Sequence, residues 1–386
     1  MSARHGIGIV GLGVIAQAYL ETLRDHPRIR IAAVADLDAA RAEAVAATLP
    51  GTDAVPVDDL HRHPGVQTVL NLTIPAAHTE VALAAIAAGR SVYGEKPLAV
   101  TMADADRVIE AADGAVAADP GRRVRVGSAP DTVLGTGTQT ARAAIDDGMI
   151  GRPTAAVATM VTPGHEAWHP NPDFYYREGG GPLLDMGPYY VTALVHLLGP
   201  VRAVVGSASA LRDVRTIGSG PRAGEEIPVS TPTHVTGILE HTNGALSTIV
   251  TSFDAVATTA APIEVHGERA TLQVPDPNGF AGEVRLRELG ADDWLVLEPS
   301  AGYVDGARGV GLLDFLDAGT SGPTSTDGRE GTDSTAGRAN GALARHVLEV
   351  MTGVLRSAET GTRVAMVTTT ERPAPVPLTP AAAWRA

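Results

Sequence analysis

The chain of 386 residues contains no cysteine. That absence excludes a disulfide framework, a thiolate metal site and a cysteine nucleophile at once. There is no run of eighteen apolar residues either, and the start, MSARHGIGIVGLG, enters a strand pattern without an apolar leader. The reading is a soluble, cytoplasmic protein with no membrane partner. Cations are outnumbered: 30 Lys and Arg against 44 Asp and Glu leave a formal net charge of −14. Binding to a phosphate backbone or an anionic lipid surface draws on Lys and Arg, so neither nucleic acid nor membrane is an expected partner. The basic residues are mostly Arg, a trait of GC-rich genomes that alone points to no activity.

The chain has about twice the length one hydrophobic core comfortably serves, and two domains are expected. Up to residue 127, β-rich runs at 6–10, 28–36, 66–73, 91–94 and 122–127 alternate with Ala-rich amphipathic segments such as VIAQAYLETLRDH and HTEVALAAIAAG. This alternation predicts βαβ units in an α/β, doubly wound parallel sheet. Beyond 128 the pattern changes to a helix at 138–148, a strand at 153–162, a Pro/Gly/His loop and a helix at 182–198. Seven β-like runs between 201 and 298 follow, and TNGA and HGERA read as hairpin turns of an antiparallel sheet. The boundaries are placed at 1–128 for dinucleotide binding and 129–386 for a substrate-binding α+β domain. Segment 318–336 reads as a loop or insertion, 338–360 as a helix, and the Pro-rich tail after 370 as extended over the surface.

The run IGIVGLGVIA places Gly11, Gly13 and Ala16 in a G-x-G-x-x-A pattern between a strand and a helix. Gly11 permits a tight turn, Gly13 lets the backbone approach a pyrophosphate, and Ala16 allows close helix–strand packing. Val14 and Ile15 complete the expected phosphate loop of a Rossmann domain. Asp36, with Leu37 beside it, ends the second strand, where a carboxylate meets ribose hydroxyls and repels a 2′-phosphate, favouring NAD over NADP. Its bland alternative is a helix N-cap, a role Asp38 fills equally well. Thr73, Pro75 and His78 end the strand at 66–73; Pro75 and His78 either wall the nicotinamide side, or Pro75 simply opens the next helix. SVYGEKP then delivers Glu95 and Lys96 at another strand end, behind Pro97.

With GLGVIA, Asp36, TIPAAH and EKP in this order, and GGGPLLDMGPYYVTALVHLLG at 179–199, the chain resembles the Gfo/Idh/MocA family of nicotinamide-dependent sugar and cyclitol oxidoreductases. The likeness covers nearly the whole chain except 212–228 and 318–336. It implies a Rossmann domain followed by an α+β domain whose large, open, mostly antiparallel sheet often forms a dimer or tetramer interface. It also implies roles for Lys96, Asp185 and Tyr189, with Tyr189 where many members carry His.

Oxidising a secondary alcohol requires a base for the hydroxyl proton and a cation for the developing alkoxide. Asp185 and Tyr189, four apart on one helix, share a face, with Thr192 beyond. Lys96 either favours the Tyr189 phenolate or polarises the substrate oxygen directly. Glu95 is expected to turn away onto the strand-end backbone or Lys96. Asp185 is alternatively the N-cap of a helix at 186–198, and Tyr189 a core aromatic, although Tyr190 suits the core better. The loop TPGHEAWHPNPDFYYREGGG offers His165, Trp168 and His169 to a polyol ring, with His169 as reserve base and Asp131 as a further substrate contact. No metal is expected, because His165 and His169 lack a third ligand. The reading is an NAD-dependent dehydrogenase of a ring hydroxyl in a sugar, glycoside, anhydrosugar or cyclitol. The alternatives are an NAD-dependent glycoside hydrolase acting by transient oxidation and a non-enzymatic sugar or nucleotide sensor.

Overall fold

In the computed structural model, residues 4–119, 124–318 and 337–386 are described. The chain forms two compact units, Met1–Leu134 with Tyr303–Arg345 and Leu378–Ala386, and Gly135–Gly302 with His346–Pro377. The first unit thus takes two later segments in addition to the 1–128 expected for it. The expected insertion 318–336 lies outside the described residues apart from Ala318, the last residue of the helix Val310–Ala318.

The first unit is built from β1 (His5–Val10), α1 (Val14–Leu23), β2 (Ile29–Ala35), α2 (Ala39–Ala46), β3 (Asp53–Ala54), β4 (Thr68–Asn71), α3 (Pro75–Ala87), β5 (Ser91–Gly94), α4 (Met102–Ala118) and β6 (Val126–Ser128). Its six strands run in the order β3-β2-β1-β4-β5-β6, all parallel. The apolar runs of β1, β2 and β4 are buried almost throughout, as a sheet covered on both faces requires. The strand order reverses between β1 and β4, so the crevice for a ligand opens at their C-terminal ends. Helix α4 fills the stretch between the β-rich runs at 91–94 and 122–127, where the alternation predicts a helix, and TMAD starts it: the Thr101 hydroxyl accepts the Asp104 N–H at 3.1 Å.

The second unit contains α5 (Thr136–Asp146), β7 (Pro153–Val161), α6 (Pro182–Leu198), β8 (Val201–Ser209), β9 (Val214–Thr216), β10 (Glu226–Pro228), β11 (His234–His241), β12 (Leu246–Ser252), β13 (Ile263–Gly267), β14 (Ala270–Val274), β15 (Val284–Glu288), β16 (Leu295–Leu297) and β17 (Val364–Ala365). Nine of these strands make one sheet, β16-β15-β14-β13-β7-β12-β11-β8-β17, in which only β7 and β12 pair in parallel. Gly206 and Gly237 face each other across β8 and β11 beneath Val354; a Cβ on Gly206 would fall 2.2 Å from the Val354 carbonyl oxygen. Two adjacent glycines therefore let the helix Gly341–Thr360 lie directly on the sheet. The Pro-rich tail runs extended and largely exposed over 371–380, as expected, but it is pinned at Val376, which is fully buried and donates its N–H to Gln139 Oε1 at 3.0 Å, and Trp384 beyond it is buried as well. An extended backbone lacks internal hydrogen bonds, and here it finds them in a neighbour.

Two buried histidines under the sheet have fixed roles. The His241 ring lies 2.7 Å from the Gly199 carbonyl and 2.7 Å from Ser247 Oγ, while His346 Nε2 accepts the Val201 N–H at 3.0 Å. Burial pushes His241 down to about 4 and lowers His346 too. A depressed histidine stabilises the fold above its unfolded value near 6.5 and loses that contribution as pH falls toward the folded value. Across that window His241 alone is worth about 3 kcal/mol. The melting temperature is accordingly expected to fall more steeply between pH 6.5 and 4.5 in the natural chain than in a His241→Gln variant; parallel curves would contradict this account.

Candidate active site

At the end of β1, the Gly11 N–H donates to the Ala35 carbonyl at 2.9 Å with a φ of +86°. A Cβ there would lie 2.7 Å from the Leu72 and Thr73 backbone, so only glycine fits. Gly13 opens α1 in an extended conformation with no side-chain cap, and a Cβ on it would meet nothing within 4 Å. The backbone at Gly13 is therefore open to a close approach, while the Ala16 N–H donates to the Gly13 carbonyl at 3.1 Å and Ala16 itself is buried. Asp36 is locked in place, accepting from the Leu12 N–H at 2.7 Å, the Asp38 N–H at 2.9 Å and Arg41 at 3.2 Å. Burial opposes its ionisation, but these donors outweigh it and lower its pKa. Asp38, not Asp36, caps α2. Around this carboxylate, Val14 is 96% exposed, Leu37 95% and Ile74 71%, three large apolar side chains at neighbouring strand ends. Ile74 was absent from the sequence reading, although TIP carries it beside Thr73.

The ends of β4 and β5 are braced by one buried network. Asn71 Oδ1 accepts from Thr73 Oγ1 at 2.6 Å, and Asn71 Nδ2 donates to the His78 carbonyl at 3.2 Å. The His78 ring spans two carbonyl oxygens, with Nδ1 2.7 Å from Pro97 and Nε2 3.0 Å from Thr73. His78 is therefore corrected from a cofactor wall to a buried strut tying the β4–α3 loop to the EKP turn. Pro75 occupies the first turn of α3. The Glu95 carboxylate points inward, accepting from Tyr19 Oη at 2.8 Å and from the Lys96 N–H at 3.0 Å, as the sequence suggested. Burial and then Glu95 push the Tyr19 phenol up, keeping it a donor. Lys96 is half-buried, and the Lys96–Pro97 bond is cis. It is also the sole lysine in the chain.

Asp131 requires a correction as a substrate contact. It is 0% exposed, and its oxygens accept from the N–H groups of Gly309 at 2.9 Å and Gly311 at 3.2 Å and from Arg308 at 3.2 Å. Burial pushes this carboxyl up, opposed by Arg308. Its task is to anchor the segment returning after Tyr303.

In the second unit, α6 starts at Pro182 behind Gly181, whose φ is +88°, so Asp185 sits in the first turn and does not cap a helix at 186–198. Its Oδ2 lies 3.1 Å from His165 Nε2. Tyr189, one turn on, is buried. Tyr190 is buried as well, with its hydroxyl 3.3 Å from Asp276; burial and this carboxylate push its phenol up. His165 sits among the rings of Phe253, Tyr175 and Trp168, with centroids at 4.5, 4.6 and 5.3 Å. His169 lies between Trp168 and Phe174, which are 59% and 56% exposed. The loop thus brings His165, and not His169, to Asp185. Among the described residues, no three His, Asp or Glu side chains are grouped to hold a metal ion.

Residues 5–118 match the family model described as the oxidoreductase family, NAD-binding Rossmann fold, and residues 138–273 match the Gfo/Idh/MocA C-terminal domain. The chain belongs to this family. As a Gfo/Idh/MocA member it carries an NAD-binding Rossmann domain, and the open glycine loop and anchored Asp36 fit that nucleotide. It is 37% identical over 153 residues to an inositol 2-dehydrogenase of Pseudomonas fluorescens, spanning 38% of this chain and 43% of that enzyme. It is 29% identical to a myo-inositol 2-dehydrogenase of Thermotoga maritima over 72% of this chain and 75% of that one. An NAD-binding oxidoreductase of Klebsiella pneumoniae shares its architecture, with a TM-score of 0.74 at 25% identity over 95% of this chain and all of the other. Among the described residues, no helix of this Gfo/Idh/MocA protein is long and apolar enough to cross a membrane.

Proposed function

We propose that the protein is an NAD-dependent dehydrogenase that oxidises a secondary ring hydroxyl of a cyclitol or sugar. The observation that carries this reading is the lone lysine, held at the end of β5 by Glu95 in the same unit as the glycine loop and Asp36. In a chain that uses Arg for every other cation, an ammonium at this position suits a role the bulkier, permanently charged guanidinium cannot take. The inositol dehydrogenases among the relatives support a polyol ring as substrate, and none of the relatives named above is a hydrolase or a sensor.

Gly11, Gly13, Val14, Ile15 and Ala16 would hold the pyrophosphate, Asp36 the ribose hydroxyls, and Leu37 with Ile74 the adenine face; Thr73 and Pro75 line the nicotinamide side. When bound, NAD supplies the hydride acceptor. Lys96 stabilises the hydroxyl oxygen as negative charge develops, Tyr189 takes its proton, and Asp185 orients the ring through its hydroxyls. His165 keeps the Asp185 carboxylate aimed. Trp168 offers an apolar ring face, and His169 a polar edge, to the polyol.

The nine-stranded sheet supports self-association: Val205, Ile238, Thr248 and Val157 lie in one row across β8, β11, β12 and β7, with the three apolar members of that row exposed. We assign this face to a homodimer or homotetramer. The test is incubation of the purified protein with NAD and a panel of inositols, pyranoses, anhydrosugars and glycosides, following NADH absorbance, with mass measured in solution. Net NADH with a polyol ring is expected from an oligomer. A panel without NADH would sink the catalytic reading, and a monomeric mass the interface.

A further inference from the structure

Residues 212–228, set apart in the resemblance read from the sequence, fall inside the matched C-terminal segment 138–273 and form an antiparallel ribbon, β9 paired with β10, that runs alongside the ring-bearing loop. Gly218 N–H donates to the Glu166 carbonyl at 2.8 Å, and Ser219 Oγ to the Trp168 carbonyl at 2.6 Å. Gly220 lies so close to Pro170 that a Cβ would fall 2.7 Å from it. Arg222 grips Asp173 with both nitrogens at 2.6 and 3.2 Å, and beyond the ribbon the Ser230 N–H donates to the Tyr176 carbonyl at 2.8 Å. The two segments are zipped together over the length of the loop.

The zip is rooted in one buried cation. Arg215 is almost wholly buried; its Nη1 donates to Glu166 Oε1 at 3.0 Å and to the Phe253 carbonyl at 3.2 Å, and its Nη2 pairs with Asp254. Each carboxylate has a second donor: the Tyr176 hydroxyl on Glu166, and Thr233 Oγ1 on Asp254 at 2.5 Å. A buried guanidinium between two carboxylates whose oxygens are otherwise filled is rigid, because every alternative leaves an unpaired charge. Glu166 is the immediate neighbour of His165, whose ring meets Asp185. The loop itself has only two short 3-10 turns, His165–Ala167 and Asp173–Tyr176, and cannot hold its rings unaided.

We propose that Arg215 is a positioning residue for the substrate site: through Glu166 it fixes His165 against Asp185, and through the ribbon it presents Trp168, so that the 212–228 ribbon sets which ring substituents are accepted. This rests on the assignment of that loop to a polyol ring. The test uses Arg215→Met in the full chain, read by backbone hydrogen exchange over 164–176 and by KM and kcat with the best polyol of the panel. Exchange in the loop is expected to rise by about ten-fold or more. KM for the polyol is expected to rise about ten-fold, with KM for NAD unchanged and kcat within about five-fold. Arg215→Lys, which cannot bridge both carboxylates, should fall between the two. If Arg215→Met does not fold, Ser219→Ala removes a single exposed hydroxyl and should raise polyol KM by about two-fold or more, with faster exchange at 168–170. A folded variant with a lower melting temperature but unchanged loop exchange and unchanged polyol KM overturns the proposal. If loop exchange rises while the natural chain oxidises no polyol, the positioning role stands and the substrate reading fails.

Discussion

Replacing Lys96 by Met is expected to abolish NADH formation while leaving NAD bound. The ammonium is assigned to the substrate oxygen, where negative charge appears only as the carbon–hydrogen bond breaks. A charge-stabilising donor of this kind is worth about a hundred- to a thousand-fold in kcat, and a full cation at an alkoxide sits at the upper end. Met keeps the length and apolar stem of Lys, and the backbone N–H that Glu95 accepts is untouched. Asp36 is held by hydrogen bonds from Leu12, Asp38 and Arg41, which do not involve position 96. The dissociation constant for NADH, read by its fluorescence, should therefore stay within about three-fold, a span small beside a tenfold change per 1.4 kcal/mol. Lys96→Arg should also fail, since a planar fork replaces a compact charge. Turnover retained by the Met variant would remove Lys96 from the mechanism.

The second large effect belongs to α6. Tyr189→Phe deletes the hydroxyl assigned to the proton, and general base catalysis is typically worth about a hundred- to ten-thousand-fold in kcat. The ring stays in its buried position, so polyol KM should move little. Asp185→Asn leaves α6 intact but weakens the grip on His165 Nε2, and is expected to raise KM as well as lower kcat. His169→Gln, separated from Asp185 by the rings of His165 and Trp168, should change KM alone. If His169→Gln costs more kcat than Tyr189→Phe, the base has been assigned to the wrong side chain. Steady-state rates across pH with all three variants decide the matter.

Which parts of this were legible in the sequence follows from how local the physics is. Helix α6 was placed at 182–198 because Pro at its start and Gly after its end punctuate it, and the parallel sheet followed from alternating periods. The Gly11 turn was legible because a positive φ and a crowded backbone admit one residue type. His78 and Asp131 were misjudged for the opposite reason. Both follow strand ends that face a ligand crevice, but their partners, the carbonyl of Pro97 and the N–H groups of Gly309 and Gly311, are distant in the chain. Burial by remote segments leaves no trace in a local pattern. The pairing of Arg215 with Glu166 and Asp254, and of His165 with Asp185, was hidden in the same way. The preference for Arg, set aside as a genomic habit, proved informative through its one exception.

That exception gives the protein a property few chains of this size have. Apart from its amino terminus, no group in these 386 residues is a primary amine, so an amine-directed reagent meets a single side chain, that of residue 96. A dimethyl tag introduced by reductive methylation or an acyl probe would report from one side chain besides the terminal amine, and an isotope-labelled lysine supplied during growth from that side chain alone. The residue assigned the central part in turnover is thereby the one whose ionisation can be followed directly, without altering any other position.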